Sequence, residues 1–227
     1  MRREQIYSLR IRDHYIKIMF PKNIKTTLLC GPKKLSKSFM FEAAIYWAEE
    51  GRRVVYITPE PLERWPVTCH DRSNPTVAAL KLMRFIYLSN YETLVEQLVK
   101  LYTYAAVPSV LLIDDLDNYL NDEAIQNNLN EHISKTCALI LHSMKLCSRV
   151  LKMNVHVCVW TSSILTNDFL QTMYFHNIWN LTEEEDGKVI LLEKKVFVKS
   201  SERLYKYRKF KDEMRVLQQI LCDSAEV

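Results

Sequence analysis

One stretch of the chain combines the residue types that hold phosphate groups. Residues 31–38 read Gly-Pro-Lys-Lys-Leu-Ser-Lys-Ser, directly after the predicted buried strand Lys25 to Cys30. A phosphate loop has the pattern G-x-x-x-x-G-K-[ST] between a strand and a helix. The first glycine, the lysine and the hydroxyl residue are in place at Gly31, Lys37 and Ser38. Ser36 stands where the second glycine belongs.

The chemistry of this octet is the binding of a nucleoside triphosphate. Backbone N–H groups at a helix N-terminus bind phosphate, a lysine reaches the β- and γ-phosphates, and a hydroxyl contacts magnesium. We therefore predict that ATP is bound by the whole octet: Gly31, Pro32, Lys33, Lys34, Leu35, Ser36, Lys37 and Ser38. The side chain of Ser36 is expected to disturb the loop where it passes closest to phosphate. The alternative is a lysine-rich turn that only begins a helix.

Three more candidate residues follow the ends of predicted strands. Asp114 ends the apolar run that starts at Leu111, which has the form of a Walker B strand and predicts a magnesium-side carboxylate. Glu60 follows the next strand after the octet and is predicted to polarise an attacking water. Thr161 is predicted to sense the γ-phosphate. The alternatives are a turn cap for Asp114, an exposed loop glutamate for Glu60 and a simple strand-ending hydroxyl for Thr161.

The elements that would position these residues alternate between apolar strands and helices. The predicted strands are Lys25–Cys30, Arg53–Thr58, Met83–Leu88, Ser109–Ile113 and Val155–Trp160. The predicted helices cover about 38–50, a segment opened by a capping box of Ser89 and Glu92, and about 122–152, with room for one interruption. Such alternation predicts a three-layer α/β fold with a mainly parallel sheet covered on both faces. Hairpin strands follow at 189–192, 196–198, 204–210 and 214–221, and the whole of 1–227 is expected to form a single domain.

Composition limits the classes of protein to consider. Of 227 residues, 48% are hydrophobic, which excludes disorder across the whole chain. A membrane-spanning helix needs a run of about eighteen apolar residues, and the sequence contains no such run. Six cysteines show no spacing suited to zinc, which predicts free thiols in a reducing compartment and a soluble intracellular protein.

A basic segment near the C-terminal end is a second candidate site. Residues 188–215 hold ten Lys or Arg and four Asp or Glu, against a net charge of +4 for the chain. Cations can follow a phosphate backbone while aromatic rings stack on bases. We predict that single-stranded DNA is bound by Arg203, Tyr205, Lys206, Tyr207, Arg208 and Lys209. The alternative is a solvated edge hairpin whose lysines prevent sheet-to-sheet pairing.

The chain resembles the RecA-type recombinase ATPase core in the order and spacing of four segments. These are the phosphate-loop octet, the strand leading to Ile57-Thr58-Pro59-Glu60, the Walker B run and the Thr161 strand. Within that family the chain is most similar to the small paralogue that pairs with a SWIM-domain zinc protein. The similar stretches include Val54–Thr58, Met83–Tyr87 and Leu111–Asp114.

The resemblance implies a compact, core-only ATPase, without the recombinase's N-terminal domain, that acts in the nucleus in homologous-recombination DNA repair. It implies ATP and magnesium as cofactors, and DNA, a recombinase filament and the SWIM-domain protein as partners. Lys37 and Ser38 carry over as ATP-binding, Asp114 as magnesium-side and Glu60 as catalytic, whereas Ser36 departs from the pattern. A weak ATPase is therefore expected, with two alternatives: a pseudo-ATPase scaffold and, less favoured, a small-molecule kinase.

Overall fold

The computed structural model describes residues 22–62, 66, 74–121, 128–162, 165, 167–184, 187–195, 203–209 and 215–222. The strands in these ranges are β1 (Ile24–Cys30), β2 (Val54–Thr58), β3 (Met83–Tyr87), β4 (Val110–Ile113), β5 (Val155–Thr161), β6 (Asn177–Glu184), β7 (Val189–Lys194), β8 (Arg203–Lys209) and β9 (Arg215–Cys222). The α-helices are α1 (Lys33–Glu49), α2 (Val77–Lys81), α3 (Tyr91–Lys100), α4 (Leu116–Leu120), α5 (Leu129–Leu151) and α6 (Asp168–Tyr174).

The nine strands of the described ranges form one sheet in the order β3-β2-β4-β5-β1-β6-β7-β8-β9. The six strands from β3 to β6 in this order are parallel, and β7, β8 and β9 continue the sheet as antiparallel neighbours. The predicted fold class, α/β with a mainly parallel sheet and C-terminal hairpin strands, is confirmed.

Helices cover both faces of the parallel part of the sheet. On one face α1 and α2 pack through buried residues such as Phe41, Ala44 and Ala79 against Tyr56 and Leu112 of the sheet. On the other face α3, α4, α5 and α6 bury a larger cluster around Leu28, Val157 and Ile113. These two apolar clusters hold the parallel strands in place and so fix the positions of the strand ends.

The five predicted parallel strands are present within one or two residues of their expected bounds. Strand β6 falls at the start of the hairpin region predicted over about 177–222, but it was not predicted as a separate strand. Asn177–Glu184 mixes apolar and polar residues, and it pairs with β1 in parallel. The hairpin strands near 189, 204 and 215 are present, whereas the predicted strand 196–198 lies outside the described residues.

The helix predictions need two corrections. Helix α1 begins at Lys33 and not near Ser38, so the first turn and a half of the helix occupies the octet. The N-cap of α3 is Asn90, whose Oδ1 accepts the Thr93 N–H at 3.0 Å; the predicted cap at Ser89 was therefore wrong by one residue. The predicted helix 122–152 corresponds to α5, which starts at Leu129, while 122–127 lie outside the described residues.

No helix within the described ranges is long and apolar enough to cross a membrane.

Candidate nucleotide-binding site

The candidate residues meet at the edge of the sheet where the parallel strands end. The N–H of Asp114 donates to the carbonyl oxygen of Ile57 on β2 at 2.8 Å, and the N–H of Gly31 donates to that of Thr161 on β5 at 3.1 Å. Because neighbouring parallel strands end at one edge, Gly31, Glu60, Asp114 and Thr161 lie at the same side of the molecule. In open α/β sheets this carboxyl edge is where ligands bind.

The connection between β1 and α1 is shorter than the octet predicts. Only Gly31 and Pro32 separate Cys30, the last residue of β1, from Lys33, the first residue of α1. A Cβ on Gly31 would lie 2.8 Å from the Cβ of Leu181 on β6, so glycine is required here by strand packing. The expectation of a wide loop over 31–38 was wrong: its last six residues are helical.

Four charged side chains form a network at the start of α1. Lys37 Nζ lies 3.0 Å from Glu60 Oε2, and Lys33 Nζ lies 2.8 Å from Asp115 Oδ2 and 3.9 Å from Glu60 Oε1. The hydrogen bond from Lys37 holds the pKa of Glu60 below its usual value. The hydrogen bond with Asp115 raises the pKa of Lys33. Lys33 is therefore charged near neutral pH, and the two lysines share Glu60 as a carboxylate partner.

Asp114 is the buried carboxylate of the site. It is 1% exposed, and its Oδ2 accepts hydrogen bonds from the Tyr56 hydroxyl at 3.2 Å and the Thr58 hydroxyl at 3.4 Å. Burial raises the pKa of Asp114, while hydrogen bonds from Ser36 and Tyr56 oppose the shift. Its other oxygen, Oδ1, accepts no well-formed hydrogen bond from the described residues. A buried acceptor without a partner indicates a position for a bound cation or water.

Ser36 does not lie where the phosphate-loop pattern predicts. It is 1% exposed, sits inside the first turn of α1 and lies close enough to the Asp114 carboxylate to lower its pKa. Its side chain is therefore buried against the sheet, and the expected effect of Ser36 on a bound phosphate stays a prediction.

The remaining octet residues divide between the surface and the core. Lys34 is 67% exposed and pairs with Glu183 of β6 at 2.5 Å. Leu35 is buried in the apolar cluster under α1, and Ser38 is also buried.

Thr161, the last residue of β5, is 2% exposed, and its hydroxyl has no hydrogen-bond partner among the described residues. This hydroxyl could therefore hydrogen-bond a ligand at the edge of the sheet.

Three residues of the candidate site were missed in the sequence. Tyr56 and Thr58 lie two apart on β2, so their side chains share a face, and both hydroxyls reach Asp114. The alternation of a strand could have indicated this pair. Asp115 has a left-handed backbone, with φ 53°, which turns the chain into α4 and leaves its carboxylate for Lys33. An Asp-Asp pair after a strand gives no signal of that conformation.

Side chains of this site fit a polyphosphate with magnesium, although the backbone differs from a phosphate loop. Two lysines and the N-terminus of a 17-residue helix supply positive charge, and Asp114 Oδ1 is a buried acceptor without a partner among the described residues. No three His, Cys, Asp or Glu side chains in the described ranges could hold a metal alone. A magnesium ion would therefore be held between Asp114 and the phosphates.

The basic strand β8 packs its tyrosines against the protein. The ring of Tyr207 meets Phe39 of α1 edge-on, with centroids 5.6 Å apart, and Tyr205 lies 5.6 Å from Trp179 of β6. Arg208 is exposed, and Lys206 and Lys209 are half-buried. Both tyrosine rings therefore contact aromatic side chains of the protein itself.

No protein-family model matches the chain, and no curated protein matches it in sequence. Among solved structures, the chain is similar to the RadB recombinase, with a TM-score of 0.60 and 14% identity over 86% of this chain and 91% of that one. The chain therefore has a RecA-like fold. A KaiC-like protein of Pyrococcus horikoshii gives 0.59 and 15%, over 88% of this chain and 91% of that one. A third solved structure, an ATPase domain, gives 0.55 and 10%, over 87% of this chain and 85% of that one.

Proposed function

We propose that this RecA-like chain binds ATP with magnesium at the carboxyl edge of its sheet and is an accessory factor in homologous-recombination DNA repair. The observation that carries the ATP site is the network of Lys33, Lys37, Glu60 and Asp115 around the buried Asp114. Two ammonium groups beside a helix N-terminus suit the β- and γ-phosphates, and the carboxylate with its open oxygen suits the metal side.

Each residue of the network has a separate task. Lys37 and Lys33 neutralise phosphate oxygens once they leave Glu60 and Asp115. Magnesium, when bound, reduces the negative charge on the phosphates. Glu60 can accept a proton from water, because its carboxylate is exposed and ionised. Thr161, at the end of β5, offers a hydroxyl that has no partner among the described residues.

We propose that hydrolysis is slow. Glu60 shares its charge with two lysines, and only Gly31 and Pro32 precede the helix, so few backbone N–H groups can surround a phosphate chain. Proline itself has no N–H. Bound ATP would therefore be hydrolysed more slowly than in a fast ATPase.

We propose that single-stranded DNA binds along the basic strand β8. Lys206, Arg208 and Lys209 would contact phosphates, and Arg203 begins the same strand. Their charges would give binding that weakens with salt, by a log–log slope of about −0.7 per phosphate contact on single strands.

The cellular role is proposed from the resemblance of the sequence to the recombinase paralogues. In that role the chain pairs with a SWIM-domain zinc protein, supports a recombinase filament and acts in the nucleus. The likeness in fold to the RadB recombinase is consistent with this proposal.

A second candidate function is a pseudo-ATPase scaffold that keeps the fold for protein pairing. The observation that favours it is the short Gly31–Pro32 connection, together with lysines that already have carboxylate partners. A scaffold of this kind would neither need ATP nor cleave it.

Equilibrium titration with a fluorescent ATP analogue, with and without magnesium, tests the proposed function. The wild type should bind, Lys37→Ala should lose binding while staying folded, and Lys145→Ala, an exposed lysine of α5, should bind like the wild type. Hydrolysis should be slow and should rise when single-stranded DNA is added. A wild type that binds no ATP favours the scaffold.

A further inference from the structure

The early start of α1 changes which side of the helix faces the carboxyl edge. An α-helix turns about 100° per residue, so residues three and four apart share one side. Lys33, Ser36 and Lys37 have this spacing, and the two lysines reach acidic residues at the strand ends, Asp115 at 2.8 Å and Glu60 at 3.0 Å. Ser36 lies between them and is near enough to Asp114 to lower the pKa of that carboxyl. One side of α1 therefore presents two lysines with a hydroxyl beside them.

Ser38 lies on another side of the same helix. It is two residues beyond Ser36, so its side chain projects about 200° further around the helix axis. Within the described ranges, the hydroxyls that hydrogen-bond the Asp114 carboxylate belong to Tyr56 and Thr58, and Ser36 lies close enough to lower the pKa of Asp114. The residue that fits the sequence pattern is therefore turned away from the buried carboxylate.

Asp114 gives an independent reason to place a ligand beside Ser36. Its side chain is 1% exposed, and Oδ1 has no well-formed hydrogen bond from the described residues. An ionised carboxylate buried at this level is costly unless each oxygen finds a partner. Ser36 and Asp114 together can therefore hold the magnesium side of a bound nucleotide.

We propose that Ser36, and not Ser38, supplies the magnesium-side hydroxyl, and that Lys33 acts with Lys37 as a second phosphate-binding cation. This inference rests on the proposed ATP site and deepens it. The hydroxyl of the phosphate-loop pattern is shifted by two residues, because the helix begins before the pattern ends. The serine that departs from the pattern is thus the one that works with Asp114.

The test compares serine variants in the same helix by isothermal titration with ATP, in magnesium and in EDTA. Magnesium should tighten ATP binding to the wild type. Ser36→Ala should reduce that tightening by about ten-fold or more, the usual loss when a group supporting a metal site is removed. Ser38→Ala tests the assignment made from the sequence pattern and should retain the tightening. Ser143→Ala, an equally buried serine of α5, is the matched control and should also retain it.

Ser36→Gly separates the two assignments more sharply. It restores the glycine of the pattern and should improve binding if Ser36 only obstructs the loop. Our inference expects it to lose the magnesium effect, as Ser36→Ala does. Lys33→Ala should weaken ATP binding even in EDTA, whereas Lys145→Ala should not. Melting temperatures of the ligand-free variants show whether each one is folded.

The outcomes distinguish this inference from the proposed function. A magnesium effect that Ser38→Ala removes and Ser36→Ala keeps overturns the inference and leaves the ATP site standing. A magnesium effect kept by both variants overturns it as well. A wild type that binds no ATP overturns the proposed function, and this inference with it.

Discussion

Replacing Glu60 by glutamine removes the negative charge that Lys33 and Lys37 share. Two unit charges 3.0 Å apart attract by roughly 1.4 kcal/mol in water, the distance being that between Lys37 Nζ and Glu60 Oε2. Because these side chains are 39% and 58% exposed, solvent and side-chain entropy reduce the net value to about 0.5–1 kcal/mol. A phosphate group must replace this contact when it binds Lys37.

Glu60→Gln should therefore bind ATP about two- to five-fold more tightly than the wild type, since it needs no such replacement. Raising the salt concentration should shrink the difference, because the charges are exposed. Hydrolysis should change in the opposite direction and fall, because glutamine cannot accept the proton from water. The assay is calorimetric titration at two salt concentrations, beside single-turnover hydrolysis.

Glu96→Gln is the matched control, because Glu96 forms a similarly exposed pair with Lys100 on α3. It should change neither affinity nor hydrolysis. If Glu60→Gln binds ATP with unchanged or lower affinity, the carboxylate does not compete with phosphate for the lysines, and the reasoning is refuted.

Three further predictions concern stability and DNA. Gly31→Ala places a Cβ against Leu181 and should cost about 1–3 kcal/mol, seen as a melting temperature lowered by roughly 2–4 °C per kcal/mol; an unchanged melting temperature would contradict the packing. Asp114→Asn should raise the ligand-free melting temperature near neutral pH, because burial raises the pKa of Asp114 and disfavours its charged form. This gain should vanish below about pH 4, where the carboxyl is neutral in both the folded and the unfolded chain. Magnesium-dependent stabilisation by ATP should be lost in the same variant, and its retention would remove Asp114 from the metal side. Tyr207→Ala should lower the melting temperature by removing the contact with Phe39, with the salt dependence of DNA binding unchanged; weaker DNA binding at an unchanged melting temperature would instead indicate base stacking.

The sheet was predictable because its strands are short apolar runs that end at recognisable residues. The burial of Val54 to Thr58 and Val110 to Ile113 on both faces follows from the helices that cover a parallel sheet. The same logic brought Glu60, Asp114 and Thr161 to one edge. Strand β6 was not predicted as a parallel strand, because five of its eight residues are polar and its position depends on pairing with β1 and β7.

The local geometry of the site was less predictable. A pattern of residue types does not tell where a helix begins, and the start of α1 at Lys33 decides that Ser36 faces Asp114. Propensity gives no warning, since lysine, leucine and serine are all tolerated in a first turn. The packing of Tyr205 and Tyr207 also depends on partners far away in sequence, Trp179 and Phe39.

A crystal structure of the chain with magnesium and a non-hydrolysable ATP analogue tests the central claim most directly. We expect the phosphates beside Lys33 and Lys37 and the metal on the side of Asp114 and Ser36. A triphosphate bound away from the carboxyl ends of β1 and β4, or one whose metal contacts Ser38 instead, would contradict the account.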